Sequence, residues 1–148
     1  MVKIQEAENQ IVTHFEVFER RPSDSDLLTP SIEKHKELLD RVPDLVAADA
    51  GFFSAANETA ARKLGVKQVA VPSRSTKSAK RKQEQKKSWF KKAQKWRTGC
   101  EGRISVLKRR HRLNRSRYKS TQGMTRWVGL GVMADNIINI GIHLALKR

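Results

Sequence analysis

Asp44-Leu45-Val46-Ala47-Ala48-Asp49-Ala50-Gly51-Phe52-Phe53-Ser54 runs from a short apolar stretch of the buried-strand kind into a glycine turn. Ser54 to Leu64 then reads as a helix closed by Gly65, and Val66-Lys67-Gln68-Val69-Ala70-Val71-Pro72 as a second strand. Strand, helix and strand joined by short connections imply a parallel pair within an α/β unit.

Toward the N-terminus, Val2 to Glu19 is rich in Val, Ile, Thr and Phe and is interrupted at Glu8-Asn9-Gln10. It reads as a hairpin with strands over about 2–7 and 11–18. Arg21-Pro22-Ser23-Asp24 breaks it, and Asp24 or Ser25 is the expected cap of a helix that turns Leu27, Leu28, Ile32, Leu38 and Leu39 to the core, with Pro30 in its early turns and Pro43 as its stop. Toward the C-terminus, Ser73 to Lys87 has no aliphatic side chain larger than alanine and reads as a mobile loop. A helix over about 85–112, a basic turn from Arg112 to Tyr118 and a long apolar helix over about 121–146 follow. The fold class expected is α/β. No internal repeat is visible.

At 148 residues the chain suits one compact domain, and 38% hydrophobic residues suffice for a core. The charge is lopsided: 31 Lys+Arg against 15 Asp+Glu give +16. Residues 1–60 carry −6 and residues 61–148 carry +22. That asymmetry exceeds what solubility requires and points to a polyanionic partner, nucleic acid. A single cysteine, Cys100, excludes an intramolecular disulfide and leaves no zinc knuckle or CxxC pair. Met1 to Glu6 has no signal-peptide character, so a cytoplasmic location is expected. Trp127 to Leu146 is long and apolar enough to be weighed as a membrane span, but Asp135, Asn139 and His143 recur every four residues with Asn136 beside them. A packed helix with one polar edge accounts for that spacing, and no membrane partner is expected.

Candidate chemistry begins at Asp49. Ligands gather at the carboxyl ends of strands in open α/β sheets, which suits Asp49 to a metal or substrate; an Asp that merely opens a turn has the same local pattern. In the basic helix, Trp89, Ala93, Trp96, Cys100, Ile104 and Leu107 recur at spacings of three and four as a core stripe. Arg97, Glu101 and Lys108 fall within about 40° of one another on one face. They read either as an Arg97–Glu101 i,i+4 ion pair on the surface or as a metal-ligating carboxylate flanked by phosphate-holding cations. Gly99 and Gly102 bracket Glu101 and suit a close approach to the backbone, or a helix break. Lys91, Lys92, Lys95, Arg109, Arg110, Arg112, Arg115 and Arg117 complete a candidate DNA-binding set. No P-loop, GxSxG elbow, HExxH or catalytic triad is present, and the four histidines show no metal spacing.

Asp49-Ala50-Gly51-Phe52-Phe53-Ser54 followed by Asn57 resembles the second-aspartate motif of bacterial insertion-sequence transposases of the DDE type. Arg97, Glu101 and Lys108 have the R-x3-E-x6-K spacing around that family's third acid, although the tyrosine that precedes it there is Gln94 here. Pro22 to Asp26, Leu107 to Arg117 and Ala134-Asp135-Asn136-Ile137 are similar to other segments of the family. The resemblance implies an RNase H-like fold and transposase activity by two-metal phosphodiester chemistry on Mg²⁺ or Mn²⁺, with insertion-sequence ends and target DNA as partners. It implies that Asp49 and Glu101 are catalytic metal ligands and that Arg97 and Lys108 neutralise phosphates.

In that family the first aspartate lies on a central strand ahead of the hairpin with which this sequence opens. The resemblance therefore implies an incomplete fold: a truncated fragment that holds DNA with impaired chemistry, and whose open sheet edge favours a homodimer or other self-association. A non-enzymatic basic nucleic-acid-binding protein is the alternative. A complete small nuclease would need Asp26 or Asp135 as a third carboxylate.

Overall fold

A computed structural model describes residues 1–147 of the chain. Five helices, α1 Leu28–Leu39, α2 Ala55–Lys63, α3 Ala79–Lys86, α4 Ser88–Arg110 and α5 Thr121–Ala145, accompany four strands, β1 Val2–Glu6, β2 Val12–Val17, β3 Leu45–Ala47 and β4 Gln68–Ala70, among the described residues. The strands form two small sheets, β1 with β2 and β3 with β4. The chain divides into two compact units, one of Pro22–Gly99 and one of Met1–Arg21 with the chain from Cys100 onward.

In the first unit, β3 and β4 are parallel, with Leu45 opposite Gln68 and Ala47 opposite Ala70, as the strand–helix–strand pattern requires. Period-two alternation divides their side chains between two layers. Val46, Val69 and Val71 join Leu28, Ile32, Ala61 and Val66 under α1 and α2, whereas Leu45, Ala47 and Ala70 meet Trp89, Phe90 and Ala93 of α4. Ser54 caps α2 by accepting the Asn57 N–H at 2.9 Å, a bond of the kind worth about 1 kcal/mol. Gly65 follows at φ +104°, the left-handed conformation that ends a helix at little cost to glycine alone.

Several expectations are corrected here. Neither Asp24 nor Ser25 caps α1; a 3-10 turn over Asp24–Leu27 leads into it and Leu27 holds the cap position. The helix ends at Asp40 in the left-handed region, before Pro43 is reached. Leu38 and Leu39 lie in its last turn, past the core, and are exposed. The segment read as a mobile loop contains α3, because Ala, Lys, Arg, Gln and Glu are strong helix formers and Ser78 caps the helix by accepting the Arg81 N–H at 3.4 Å.

In the second unit, β1 and β2 form the expected hairpin, with Val2 opposite Val17 and a register irregularity between Gln5 and Glu6. Its turn holds Asn9 and Gln10 at φ 58° and 65°. Val12, Leu107, Val128 and Val132 make the buried core, lined by Val2, Ile4, Phe15, Val17, Leu113 and Met124.

α4 runs unbroken through Gly99 and Gly102, so neither glycine marks a break. Only the ends of its expected stripe are used as core: Trp96 and Ile104 are exposed, and Phe90 is the deeply buried aromatic ring. α5 meets the length and hydropathy requirement for crossing a bilayer, yet Asp135 and Asn139 are buried on its packed face.

Candidate functional site

Asp49 stands at the carboxyl end of β3, where a 3-10 turn over Ala50–Phe52 begins. Its carboxylate is half exposed and is met by the Arg97 guanidinium, Nη1 to Oδ1, at 2.7 Å. Gln94 explains how Arg97 comes to be there. Its amide donates to the carbonyl of Ala48 at 3.3 Å and more closely to that of Ala70, fastening α4 across the carboxyl ends of both strands. One helical turn further on, Arg97 faces Asp49. Two candidate site residues 48 positions apart are thereby joined.

The residues around Asp49 are fixed by Asn57. Its side-chain amide donates to the carbonyls of Phe52, at 3.1 Å, and Ser25, so the turn after Asp49 is stitched to the turn preceding α1. Gly51 lets Asp24 come close: a Cβ there would lie 2.8 Å from the Asp24 carboxylate oxygen, so that side chain would have to shift. Asp24, not Asp26, is thus the acid set against the Asp49–Gly51 turn. Asp26 keeps its carboxylate local, accepting from the Ser25 hydroxyl at 3.3 Å.

Arg81 supports the same unit from below and was not distinguishable by sequence from the lysines around it. Its guanidinium is buried, donates to the Val71 carbonyl at 2.6 Å, pairs with Glu58 at 2.8 Å and stacks over Phe53 and Phe90. The Lys91, Lys92 and Lys95 side chains stand exposed on the same unit's part of α4.

Glu101, Lys108 and Arg109 are exposed on the part of α4 that belongs to the second unit. Asp135 is only 1% exposed there and forms a buried network: Arg110 at 3.5 Å, His111 Nε2 at 3.1 Å and the Asn139 amide at 3.1 Å. Asn139 also donates to the Gln10 carbonyl at 3.0 Å. Asp135, the other acid weighed as a third carboxylate, is thus held inside a buried polar network. Arg110, expected to contact DNA, is engaged with it. Arg112, Arg115 and Arg117 line one cleft of about 730 Å³ together with Lys119, Tyr118 and Trp127. The two aromatic rings lie 6.1 Å apart, and the buried Trp127 Nε1 has no hydrogen-bond partner. The signal for this cleft was present in the basic turn; the part played by Trp127, drawn in from α5, was not visible there.

Carboxylate oxygens are the hard donors that Mg²⁺ or Mn²⁺ needs. In number the residues fall short: no three His, Cys, Asp or Glu side chains gather into a metal-holding group among the described residues. No cleavage step follows from these residues alone.

An acid at the carboxyl end of a parallel strand, met by a cation from a long basic helix, is the arrangement that this α/β chain presents there. The family described as Transposase DDE domain matches residues 5–137, nine-tenths of the sequence, and the chain belongs to that family. Its members are divalent-metal-dependent transposases acting on DNA, and membership implies an RNase H-like fold. No curated protein matches the chain, and no solved structure does.

Proposed function

We propose that this chain serves DNA transposition as a DNA-holding part of the catalytic domain, with Asp49 and Glu101 as two of the carboxylates that serve the divalent cation. The observation that carries this reading is the Arg97–Asp49 pair at the carboxyl end of β3, within a chain that belongs to the transposase family. Arg97 keeps a guanidinium at the acid where a phosphodiester must be brought, and Lys108 adds a second cation on the same helix. Lys91, Lys92 and Lys95 extend the cationic surface along α4. Arg112, Arg115 and Arg117 hold phosphate at the cleft, where Tyr118 and Trp127 offer aromatic surface. The two open glycines beside Glu101 support a close approach by a backbone, because a Cβ at either would meet nothing within 4 Å. The partners are insertion-sequence ends and target DNA, with Mg²⁺ as the cation and Mn²⁺ as its substitute, and the protein works in the bacterial cytoplasm.

No three His, Cys, Asp or Glu side chains gather among the described residues, and in this reading the 148-residue chain binds DNA without cutting it efficiently. The test measures plasmid nicking with Mg²⁺ or Mn²⁺ and duplex binding at several salt concentrations, for wild type, Asp49→Ala and Glu101→Ala. Binding that falls at least about tenfold between 50 and 200 mM salt, with little nicking, is expected. Robust nicking lost in both variants would overturn the impairment. Salt-independent binding would remove the electrostatic reading altogether.

A further inference from the structure

α5 turns its polar edge inward and leaves an apolar face outside. Leu130, Met133, Ile137, Ile140 and Leu144 are 60%, 60%, 64%, 48% and 60% exposed. The spacing of these five is three, four, three, four, which on a helix draws a seam at the 3.5-residue period of paired helices; Ile138, Ile142 and Leu146, toward the end of the chain, are exposed outside it. Val128, Val132, Asp135 and Asn139 occupy the opposite side and pack inward. At 100° per residue the seam and the packed side lie about 150° apart, so the unit that holds α5 does not use the seam.

We propose that this seam pairs with the same seam of a second copy of the chain, making α5 a homotypic helix–helix interface. The register itself argues for another helix as occupant. A bilayer or a flat apolar surface has no preference for a 3.5-residue repeat, whereas knobs-into-holes packing demands one. The area reaches what a dimer needs when the seam is fully covered: the five side chains expose on the order of 500 Å² per copy, so complete pairing buries up to about 1,000 Å² in all, the threshold of a specific interface. The packed edge argues against lipid, since insertion would have to withdraw Asp135 from Arg110, His111 and Asn139.

The seam also carries a charge signature. Arg126 lies one heptad before Met133, and Lys147 one heptad after Ile140. Either helix direction brings like charges together at the seam ends, and the chain as a whole carries +16. Salt that screens this repulsion strengthens the pairing, whereas salt weakens DNA binding. The interface rests on α5 alone, independently of the proposed DNA chemistry, and its test contains no DNA.

The test is sedimentation equilibrium of the 148-residue chain up to about 100 µM, at low and high salt, with three variants. Wild type is expected above the 16.9 kDa monomer mass, more so at high salt. Ile137→Glu, at the exposed centre of the seam, weakens association at least about tenfold with unchanged circular dichroism. Ile137→Leu retains it. Ile142→Glu adds the same charge away from the seam and leaves association intact. A monomeric wild type overturns the proposal, as does association that Ile137→Glu does not weaken. Flotation of a monomeric wild type with phosphatidylglycerol-containing vesicles would assign the face to lipid instead.

Discussion

Arg81 is the side chain on which most of the first unit's polar accounting converges. It satisfies the Val71 carbonyl, neutralises Glu58 and lies against two aromatic rings. Arg81→Ala leaves Glu58 without that partner and the carbonyl without its donor, at a cost of about 3 kcal/mol. Arg81→Lys keeps the charge but loses the planar fork, so its urea midpoint should fall between wild type and Ala. Equal midpoints for all three would show that the contacts contribute nothing. His35 gives a second residue-level expectation. Burial, with Arg41 nearby, holds its imidazole below the usual range, so folding favours the neutral ring. Its contribution is full above the ordinary value of about 6.5 and is lost as pH falls toward the lower folded value. His35→Gln should therefore narrow the gap between urea midpoints measured at about pH 7.5 and 5.5. Neither residue was legible beforehand: Arg81 stands among Lys80, Lys82 and Gln83 with nothing local to distinguish it, and His35 was one of four scattered histidines.

At the scale of elements, legibility followed periodicity. The parallel pair around α2, the hairpin and the two long helices could be read because apolar spacing and turn residues agree there. α3 escaped because its helix depends on backbone propensity and on Arg81's contacts rather than on an apolar stripe. In α4 the stripe was visible, but two separate clusters share it, so Trp96 and Ile104 remain outside. In α5 both faces could be seen, but which turns inward was decided by hydrogen bonds to the hairpin. The candidate site was half legible: Asp49 and Arg97 were singled out for separate reasons, while Gln94, which joins their elements, looked only like a departure from a motif. An expectation attaches to α4 itself. Gly102→Ala has room for its methyl group and should stabilise the helix by about 1 kcal/mol, read as a higher melting temperature. The same change should lower DNA affinity, since the added methyl stands where the duplex backbone is proposed to approach. Unchanged affinity would mean that no backbone comes near Gly102.

For the whole molecule, charge and apolarity are deployed on different elements. On the readings proposed above, the +22 of residues 61–148 should make DNA affinity fall with salt, and the α5 seam should make self-association rise with it. One titration of sodium chloride, read by duplex binding and by sedimentation in parallel, should show the two trends crossing. Parallel trends would mean that a single electrostatic surface drives both. The hairpin of the second unit carries a quieter dependence, set by α5. Asn136 accepts the Val12 N–H at 2.9 Å and returns a donor to the Val12 carbonyl at 2.8 Å, so one side-chain amide stands in for a peptide group of a neighbouring strand. That substitution ties the hairpin to the amide of a single residue. Hydrolysis of the Asn136 amide, which consumes a water and releases ammonia, would exchange its NH₂ for a carboxylate oxygen and leave the Val12 carbonyl facing a negative charge.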